Sequence, residues 1–303
     1  MNHKRTFMCA LVLIVLIISY SSASGQYLTT ADVYKLPNCP PDHKISYGPD
    51  SVQFSELRLP SGTGPFPVAI VIHGGCWMAS VADVGHTAPL SDALRKEGIA
   101  TWNMEYSRIG DPRGGWPGTF IDVALGVDYL QEIADEYNLD LKRVIVIGHS
   151  SGAHLALWVA ARNKIAPESP IYRESPLSVR GVVALASPVD LEKEIDLANQ
   201  LCGDSLMIKL VGGLPEEVPE NYENVSPLRL LPISVPQRLI IGENDFPMLI
   251  EHLKVYTDSA KALNEDVTLD IVPNAGHHEP AVPGSIAWLK VRATIKSLLD
   301  IAD

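Results

Sequence analysis

The chain has 303 residues, of which 46% are hydrophobic and 20% charged, a composition typical of a globular protein with a sizeable core. Its 36 acidic residues outnumber 24 basic ones, and the formal charge of −12 argues against binding to DNA, RNA or an anionic membrane. Because enzymes that mix strands and helices often exceed 200 residues as one unit, we expect a single large domain.

The N-terminus has the three parts of a secretory signal peptide. Basic residues over 3–5 precede an apolar run over 8–18, and small residues follow over 21–25. The run is shorter than the roughly 20 residues that span a bilayer, which favours a cleaved signal over a retained membrane anchor. We therefore predict a signal peptide over 1–25, a secreted or periplasmic protein, and a mature chain over 26–303 without a membrane segment.

The mature chain keeps three of the four cysteines, Cys39, Cys76 and Cys202. An odd count in an exported protein allows one disulfide and leaves one thiol over, and the spacings match no zinc motif. Cys76 belongs to a glycine motif that is expected inside the active site. The predicted pair is therefore Cys39–Cys202.

Short strand-like runs and helical stretches alternate from about residue 45 to residue 301. Some runs, such as 144–147, are apolar on both faces, as in buried central strands, whereas apolar residues over 120–137 repeat at helical spacing. The alternation predicts an α/β fold with a mostly parallel central sheet and helices on both faces. The predicted strands are 52–59, 67–72, 100–106, 143–147, 179–186, 237–241 and 267–272, and the predicted helices are 90–97, 120–137, 153–162, 250–263 and 286–299.

The stretch over 188–236 interrupts this alternation. It is rich in proline and glycine and is too long for a simple connection. Insertions of this kind usually shape a binding site or lie over it. The apolar periodicity is too weak for a separate core, so we predict an insertion that shapes the substrate pocket of the one domain.

The strongest catalytic signal is the sequence GHSSG over 148–152, between a predicted strand and a predicted helix. A serine on such a sharp turn needs glycines around it, and its hydroxyl then projects above the sheet at the positive end of the helix. This context predicts Ser150 as the nucleophile of an acyl-transfer reaction. The backbone N–H of Ser151 is expected to stabilise the oxyanion.

A second signal is HGGCW over 73–77, directly after the predicted strand 67–72. Two glycines let the main chain approach a substrate closely, and preorganised N–H groups stabilise the negative charge that acyl transfer develops. An ordinary Gly-Gly turn is the alternative, and the serine motif downstream disfavours it. The motif therefore predicts an oxyanion loop.

The general base is expected after the last strand, where AGHH stands over 275–278. We favour His277 over His278, because the residue directly after the glycine usually turns inward; His278 is expected to line the rim and bind substrate. The remaining histidines of the mature chain either belong to the glycine motifs, pack on a helix or have no supporting context, and these are His43, His73, His86, His149, His154 and His252.

The acid of the triad is expected in the loop after the predicted strand 237–241. Asp245 lies at the far end of that loop and would accept a hydrogen bond from His277, which fixes the tautomer of the ring. Glu243 and Asp190 stay open as alternatives. A helix N-cap is the other role for Asp245, but it lies rather far upstream of the predicted helix.

The histidines and acids show no metal-ligand spacing, and the glycine motifs do not follow the dinucleotide pattern. The sequence therefore predicts neither a metal nor a cofactor.

These motifs resemble those of the kynurenine formamidase and esterase–lipase (BD-FAE-like) branch of the α/β-hydrolases. The resemblance implies an α/β-hydrolase fold and an oxyanion hole from the N–H groups of Gly75 and Cys76, with Trp77 expected to bind substrate. The usual serine motif of the family has Ala or Gly after the nucleophile; Ser151 departs from it but keeps the backbone donor. The resemblance extends over about 47–299 and rests on HGGCW, EYSR over 105–108, GWPG over 115–118, GHSSGAHLALW and AGH.

The sequence thus predicts a secreted serine hydrolase that cleaves carboxylic esters with short acyl groups, such as acetyl or feruloyl esters on glycans. An arylformamidase acting on N-formylkynurenine is the alternative enzyme, suggested by HGGCW and disfavoured by the signal peptide. A non-catalytic binding protein on a hydrolase scaffold is a minor alternative, and the intact triad argues against it. The predicted partner is a small or glycan-linked ester, and the oligomeric state stays open.

Overall fold

The computed structural model describes residues 27–302. The predicted signal peptide over 1–25 lies outside the described residues. Within 27–302, none of the helices combines the length and the apolar character that crossing a membrane requires.

The described chain folds around one sheet of eight strands, β1 (His43–Ser46), β2 (Phe54–Arg58), β3 (Phe66–Ile72), β4 (Ala100–Met104), β5 (Leu139–His149), β6 (Gly181–Leu185), β7 (Gln237–Gly242) and β8 (Val267–Val272). Their order is β1-β2-β4-β3-β5-β6-β7-β8. The pairs β1–β2 and β2–β4 are antiparallel, and all the other neighbours are parallel. The predicted fold class, with a mostly parallel central sheet, is confirmed.

Helices cover both faces of the sheet. They are α1 (Thr30–Val33), α2 (Ala88–Lys96), α3 (Gly118–Asp128), α4 (Leu130–Ile133), α5 (Ser151–Ala161), α6 (Ile195–Cys202), α7 (Leu206–Val211), α8 (Pro219–Val225), α9 (Pro247–Ala262) and α10 (Trp288–Leu298). Side chains of α3, α5 and α9 pack on one face, and side chains of α2 and α10 pack on the other.

Alternate residues of the central strands face these two helical layers. In β3, Val68 and Ile70 join the apolar cluster of α3, α5 and α9, whereas Ala69 and Val71 join that of α2 and α10. Because both faces are covered, these strands have nearly continuous apolar sequences rather than an alternation with polar residues.

Two of the differences between the observed elements and the sequence prediction concern β1 and the predicted helix 120–137. The sequence analysis missed β1, which is a short edge strand with three exposed residues of its four and no apolar alternation. The predicted helix 120–137 is divided into α3 and α4, with Tyr129 between them.

The insertion over 188–236 contains three short helices, α6, α7 and α8. Their buried apolar side chains, among them Leu197, Leu210 and Val225, belong to the same cluster as α3 and α5. The insertion therefore packs on the main core and not around a core of its own.

The predicted disulfide Cys39–Cys202 is wrong. Cys202 is bonded to Cys76, with their Cα atoms 5.8 Å apart, and Cys39 is an exposed free thiol. The prediction excluded Cys76 because it belongs to the oxyanion motif. The predicted oxyanion role depends on main-chain N–H groups, however, so it leaves the Cys76 side chain available to the C-terminus of α6. The bond ties the loop after β3 to the insertion.

Candidate active site

Ser150 occupies the turn between β5 and α5 with φ 54° and ψ −124°, a strained left-handed conformation for a residue with a side chain. The packing around the turn admits only glycines. A Cβ atom on Gly148 would lie 2.1 Å from the carbonyl oxygen of Gly152, and one on Gly152 would lie 2.2 Å from that of Ile72. The N–H of Ser150 donates to the carbonyl oxygen of Leu185 at 2.8 Å. Neighbouring strands thus hold the serine at the positive end of α5.

His277 and Asp245 form a direct pair. Nδ1 of His277 lies 2.8 Å from Oδ2 and 3.0 Å from Oδ1 of Asp245. The Asp245 side chain is fully buried, whereas that of His277 is 22% exposed. Because a carboxylate only accepts, Nδ1 carries the proton, and Nε2 of the neutral ring keeps its lone pair. His277 and Ser150 line the same cavity, so the arrangement suits a general base acting on the serine.

The two alternative acids serve local turns. Glu243 accepts a hydrogen bond from the N–H of Asn274 at 3.1 Å, and Asp190 accepts one from the N–H of Lys193 at 3.3 Å. Asp245, as the sequence predicts, is the carboxylate next to the His277 ring.

The loop after β3 curls around the position expected for an oxyanion. Gly75, Cys76 and Trp77 have φ values of 109°, 56° and 51°, all left-handed, and all three line the cavity. Among the described residues, the N–H groups of Gly75 and Cys76 donate no hydrogen bond, so both are available to a substrate oxygen. The N–H of Trp77 instead donates to Oγ of Ser151 at 3.3 Å.

A buried pair under this loop fixes its start. Nε2 of His73 lies 2.9 Å from Oε1 of Glu105, and its Nδ1 lies 2.7 Å from the carbonyl oxygen of Gly74. Tyr106 donates its hydroxyl to the His73 carbonyl oxygen at 2.9 Å and stacks on the imidazole. Burial alone would raise the pKa of Glu105, but the facing His73 and Arg108 hold it below its usual value. The HGGCW and EYSR motifs therefore act as one unit.

The cavity beside Ser150 encloses about 270 Å³. The catalytic loops form one wall, and the predicted substrate-binding residues Trp77 and His278 lie along it, although Trp77 is only 2% exposed. Apolar side chains from the insertion and from α9 form the other wall, and these are Leu197, Ala198, Leu201, Met207 and Leu249. Phe246, in the same loop as Asp245, also lines the cavity.

Glu194 is a cavity residue that the sequence did not reveal. Its Oε1 accepts hydrogen bonds from the N–H of Val189 at 3.1 Å and lies 3.1 Å from Nδ1 of His252. Its Oε2 is buried without a hydrogen-bond partner among the described residues, and burial raises the pKa of the carboxyl. No local motif marks Glu194, because its place depends on how the insertion folds.

His86 and Thr30 were also missed as cavity residues. His86 lies in a 3₁₀ turn, Val84–Thr87. This turn is held in place by a hydrogen bond from the Val84 N–H to Oε2 of Glu105 at 3.0 Å. Thr30 belongs to the segment at the start of the described chain, and its Oγ1 lies 3.3 Å from Nε2 of His278. Both depend on contacts between distant parts of the sequence.

The strand order, the strained serine turn, the acid–histidine pair and the glycine-rich loop after β3 define this protein as an α/β-hydrolase. The chain belongs to the BD-FAE family, whose model matches residues 56–254, more than half of its length. This family lies in the esterase branch of the α/β-hydrolases.

Known esterases are among the similar proteins. Esterase LipC of Mycobacterium tuberculosis is 26% identical over 239 residues, which cover 77% of this chain and 59% of LipC. This chain therefore spans less than two thirds of that relative. Esterase B from Lactobacillus rhamnosis has a TM-score of 0.72 at 20% identity, covering 89% of this chain and 90% of the other. A truncated carbohydrate esterase from gut microbiota has a TM-score of 0.70 at 20% identity, covering 86% and 100%. At these identities the two structures show the common fold.

Proposed function

We propose that this protein is a secreted hydrolase of carboxylic esters with short acyl groups, with Ser150 as nucleophile, His277 as general base and Asp245 as the acid that orients it. The observation that carries the proposal is the 2.8 Å contact between His277 and Asp245 beside a serine in a left-handed turn. The esterase names of LipC and of esterase B support the choice of ester chemistry.

The proposed reaction has two halves. Oγ of Ser150 attacks the carbonyl carbon while Nε2 of His277 takes its proton, and the imidazolium then gives that proton to the leaving alcohol. The N–H groups of Gly75, Cys76 and Ser151 stabilise the oxyanion. Water repeats the attack on the acyl-enzyme and releases the acid. Asp245 stays ionised and stabilises the imidazolium in both halves.

The cavity supports a small acyl group. Its volume of about 270 Å³ is just below the roughly 300 Å³ at which the range for ligand pockets begins, and the wall formed by the insertion and α9 is apolar. Glu194 adds one buried polar atom, Oε2, that suits a hydroxyl or N–H group of the substrate. The carbohydrate esterase among the similar structures supports esters on glycans, such as acetyl or feruloyl esters, as the substrate class.

Export is supported by the signal-peptide pattern over 1–25 and by the disulfide Cys76–Cys202, since disulfides persist in oxidising compartments. Mass spectrometry of the protein purified from its producing cells tests this. We expect a mature N-terminus near Gly25–Gln26, and a mature protein that still begins at Met1 contradicts export by a cleaved signal.

Hydrolysis of p-nitrophenyl acetate, butyrate and octanoate beside N-formylkynurenine tests the reaction. We expect ester turnover to fall with chain length, and Ser150→Ala to lower kcat by a factor on the order of 10⁶. Ser178→Ala, at an exposed serine away from the cavity, is the matched control and should keep full activity. A clear preference for N-formylkynurenine would favour the arylformamidase, and activity that persists in Ser150→Ala would exclude the proposed nucleophile.

A fluorophosphonate probe tests the alternative of a non-catalytic scaffold. The probe should label the folded wild-type protein and leave Ser150→Ala unlabelled, because only an activated serine reacts. A folded wild-type protein that stays unlabelled would favour a binding function.

A further inference from the structure

Three histidines come together in the cavity beside the proposed triad. One ring nitrogen from each of His86, His149 and His278 lies within 4.8 Å of one from each of the others. His86 comes from the 3₁₀ turn before α2, His149 is the last residue of β5, and His278 follows β8. Because the three come from distant parts of the chain, no local spacing could reveal the cluster.

The tautomer of His149 leaves one ring nitrogen unprotonated and without a hydrogen-bond partner among the described residues. Its Nε2 lies 2.9 Å from the carbonyl oxygen of His277, and because a carbonyl only accepts, Nε2 carries the proton. Nδ1 therefore presents a lone pair, and it is buried without a partner among the described residues. A carbonyl that holds one ring nitrogen while the other is left to a ligand is the usual second contact of a metal-bound histidine.

The other two rings also have a buried nitrogen without a partner in the described part of the chain. Nδ1 of His86 and Nδ1 of His278 are also buried, and within 27–302 neither has a hydrogen-bond partner. His86 is only 2% exposed, and His149 only 1%. Buried polar atoms without partners are rare in folded proteins, and each of the three rings has a nitrogen that a ligand can satisfy.

We propose that His86, His149 and His278 form a binding site for a divalent transition-metal ion of the zinc class, with a fourth position open to the active-site cavity. Three imidazole ligands without a carboxylate favour zinc, copper or nickel over magnesium and calcium. Zinc binds imidazole nitrogen at about 2.0–2.1 Å, which places tetrahedral ligands about 3.3 Å apart. From separations within 4.8 Å, the nitrogens need to approach by at most about 1.5 Å.

An ion at this place would block the reaction. The three histidines line the same cavity as Ser150, and the ring centroids of His149 and His277 are 4.9 Å apart. A metal ion with its water ligand takes up volume that the substrate needs. This consequence, unlike metal binding itself, rests on the proposed function: zinc should inhibit ester hydrolysis reversibly, and a chelator should restore it.

Metal binding is measured on the purified protein after it has been stripped with a chelator. Equilibrium dialysis with elemental analysis should find one Zn²⁺ per chain, and Co²⁺ in its place should give the visible d–d bands of four-coordinate cobalt. His86→Phe should weaken Zn²⁺ binding at least about 100-fold. His86→Gln serves if the first variant does not fold, as judged by circular dichroism. His43→Gln, at an exposed histidine of β1, is the matched control and should bind like the wild type.

Absence of stoichiometric Zn²⁺ binding or of the cobalt bands in the wild type overturns the proposal. Binding that is unchanged in the folded His86 variants overturns it too, because the ion then lies elsewhere. Fluorophosphonate labelling of Ser150 in the metal-free protein keeps the two proposals apart. A protein that binds one Zn²⁺ but stays unlabelled supports the metal site and contradicts the esterase, and a labelled protein without Zn²⁺ binding does the reverse.

Discussion

Two regions of the chain form the walls of the active-site cavity. The cavity residues of one wall can be predicted from the sequence far better than those of the other. The catalytic wall consists of loops that follow β3, β5, β7 and β8 directly. Parallel strands end at the same edge of a sheet, so a residue just after such a strand is placed by the strand itself. The other wall is the insertion over 188–236 with α9, whose cavity side chains are placed by the packing of helices on the core.

In the catalytic wall the backbone geometry decides where the functional residues lie, whereas in the insertion the packing of side chains decides it. At the serine turn the backbone leaves no choice, since any Cβ atom at Gly148 or Gly152 would overlap a carbonyl oxygen. In the insertion no residue type is forced in this way. Glu194 faces the cavity because its Oε1 is held by the Val189 N–H and by His252 of α9. Contacts of this kind leave no local pattern in the sequence.

The largest expected effect tests the catalytic wall. Asp245→Asn should lower kcat by a factor on the order of 10⁴, because the amide favours the wrong tautomer of His277 and gives no charge to balance the imidazolium. Steady-state hydrolysis of p-nitrophenyl acetate measures the change. Glu243→Gln is the matched control in the same loop and should lose less than about tenfold, since its carboxylate holds only the N–H of Asn274. Equal losses in both variants would contradict the assignment of the acid.

The next effect concerns the bond between the two walls. Cys76 and Cys202 are 126 positions apart, so their disulfide closes a long loop in the unfolded chain. Cys202→Ser should lower the free energy of unfolding by roughly 2–5 kcal/mol. Urea unfolding without reductant measures it, and Cys39→Ser, at the free exposed thiol, should leave stability within about 0.5 kcal/mol. A stable Cys202→Ser protein would mean that the insertion docks without the bond.

Much of the catalytic wall could be predicted from the sequence for the reason given above. Ser150, Asp245 and His277 each follow a strand, in the chain order that this fold uses, and the structure brings His277 and Asp245 into contact. β5 and β7 could be found because each contains a buried apolar run, over 144–147 and 239–241, and β8 could be found because it is rich in β-branched residues. β1 could not, because an exposed edge strand needs no apolar pattern.

The errors and omissions concern contacts between segments that are distant in sequence. The wrong disulfide came from reserving the Cys76 side chain for the active site, although the proposed oxyanion hole needs only main-chain N–H groups and the Cys76 sulfur is bonded to Cys202 of α6. His86 had no supporting context in the sequence, and only the fold brings it to His149 and His278. Contacts of this kind depend on how the loops and the insertion pack, and residue spacing in the sequence does not predict that packing.

A smaller effect, on stability against pH, tests the contact between α5 and the insertion. Nε2 of His154 donates to the carbonyl oxygen of Val225 in α8 at 2.9 Å, and burial lowers the pKa of His154 to about 4. The unfolded chain binds a proton at about pH 6.5, which the folded state does not accept until about pH 4. The stability due to the depressed pKa is therefore present above about pH 6.5 and is lost as the pH falls to about 4, by about 3 kcal/mol.

Urea unfolding at a series of pH values between about 7 and 4 measures this loss. His154→Gln keeps an N–H donor for Val225 but has no titrating ring, so its stability should fall less steeply than that of the wild type over this range. Equal slopes in the two proteins would contradict the burial of a neutral imidazole between α5 and α8, and with it the close docking of the insertion on the catalytic helix.

The smallest expected effect separates backbone from side chain within the catalytic wall. Ser151 is proposed for the oxyanion hole through its N–H, which Ser151→Ala keeps. The substitution removes the 3.3 Å hydrogen bond from the Trp77 N–H to its Oγ. A single hydrogen bond of this kind contributes about 1 kcal/mol, so kcat/KM should fall less than about tenfold. Ser150→Ala is the matched comparison, because it removes a serine hydroxyl at the neighbouring position. A loss of about 100-fold or more in Ser151→Ala would mean that this side chain, and not only the main chain, shapes the oxyanion loop. The catalytic wall would then depend on side-chain packing in the same way as the insertion does.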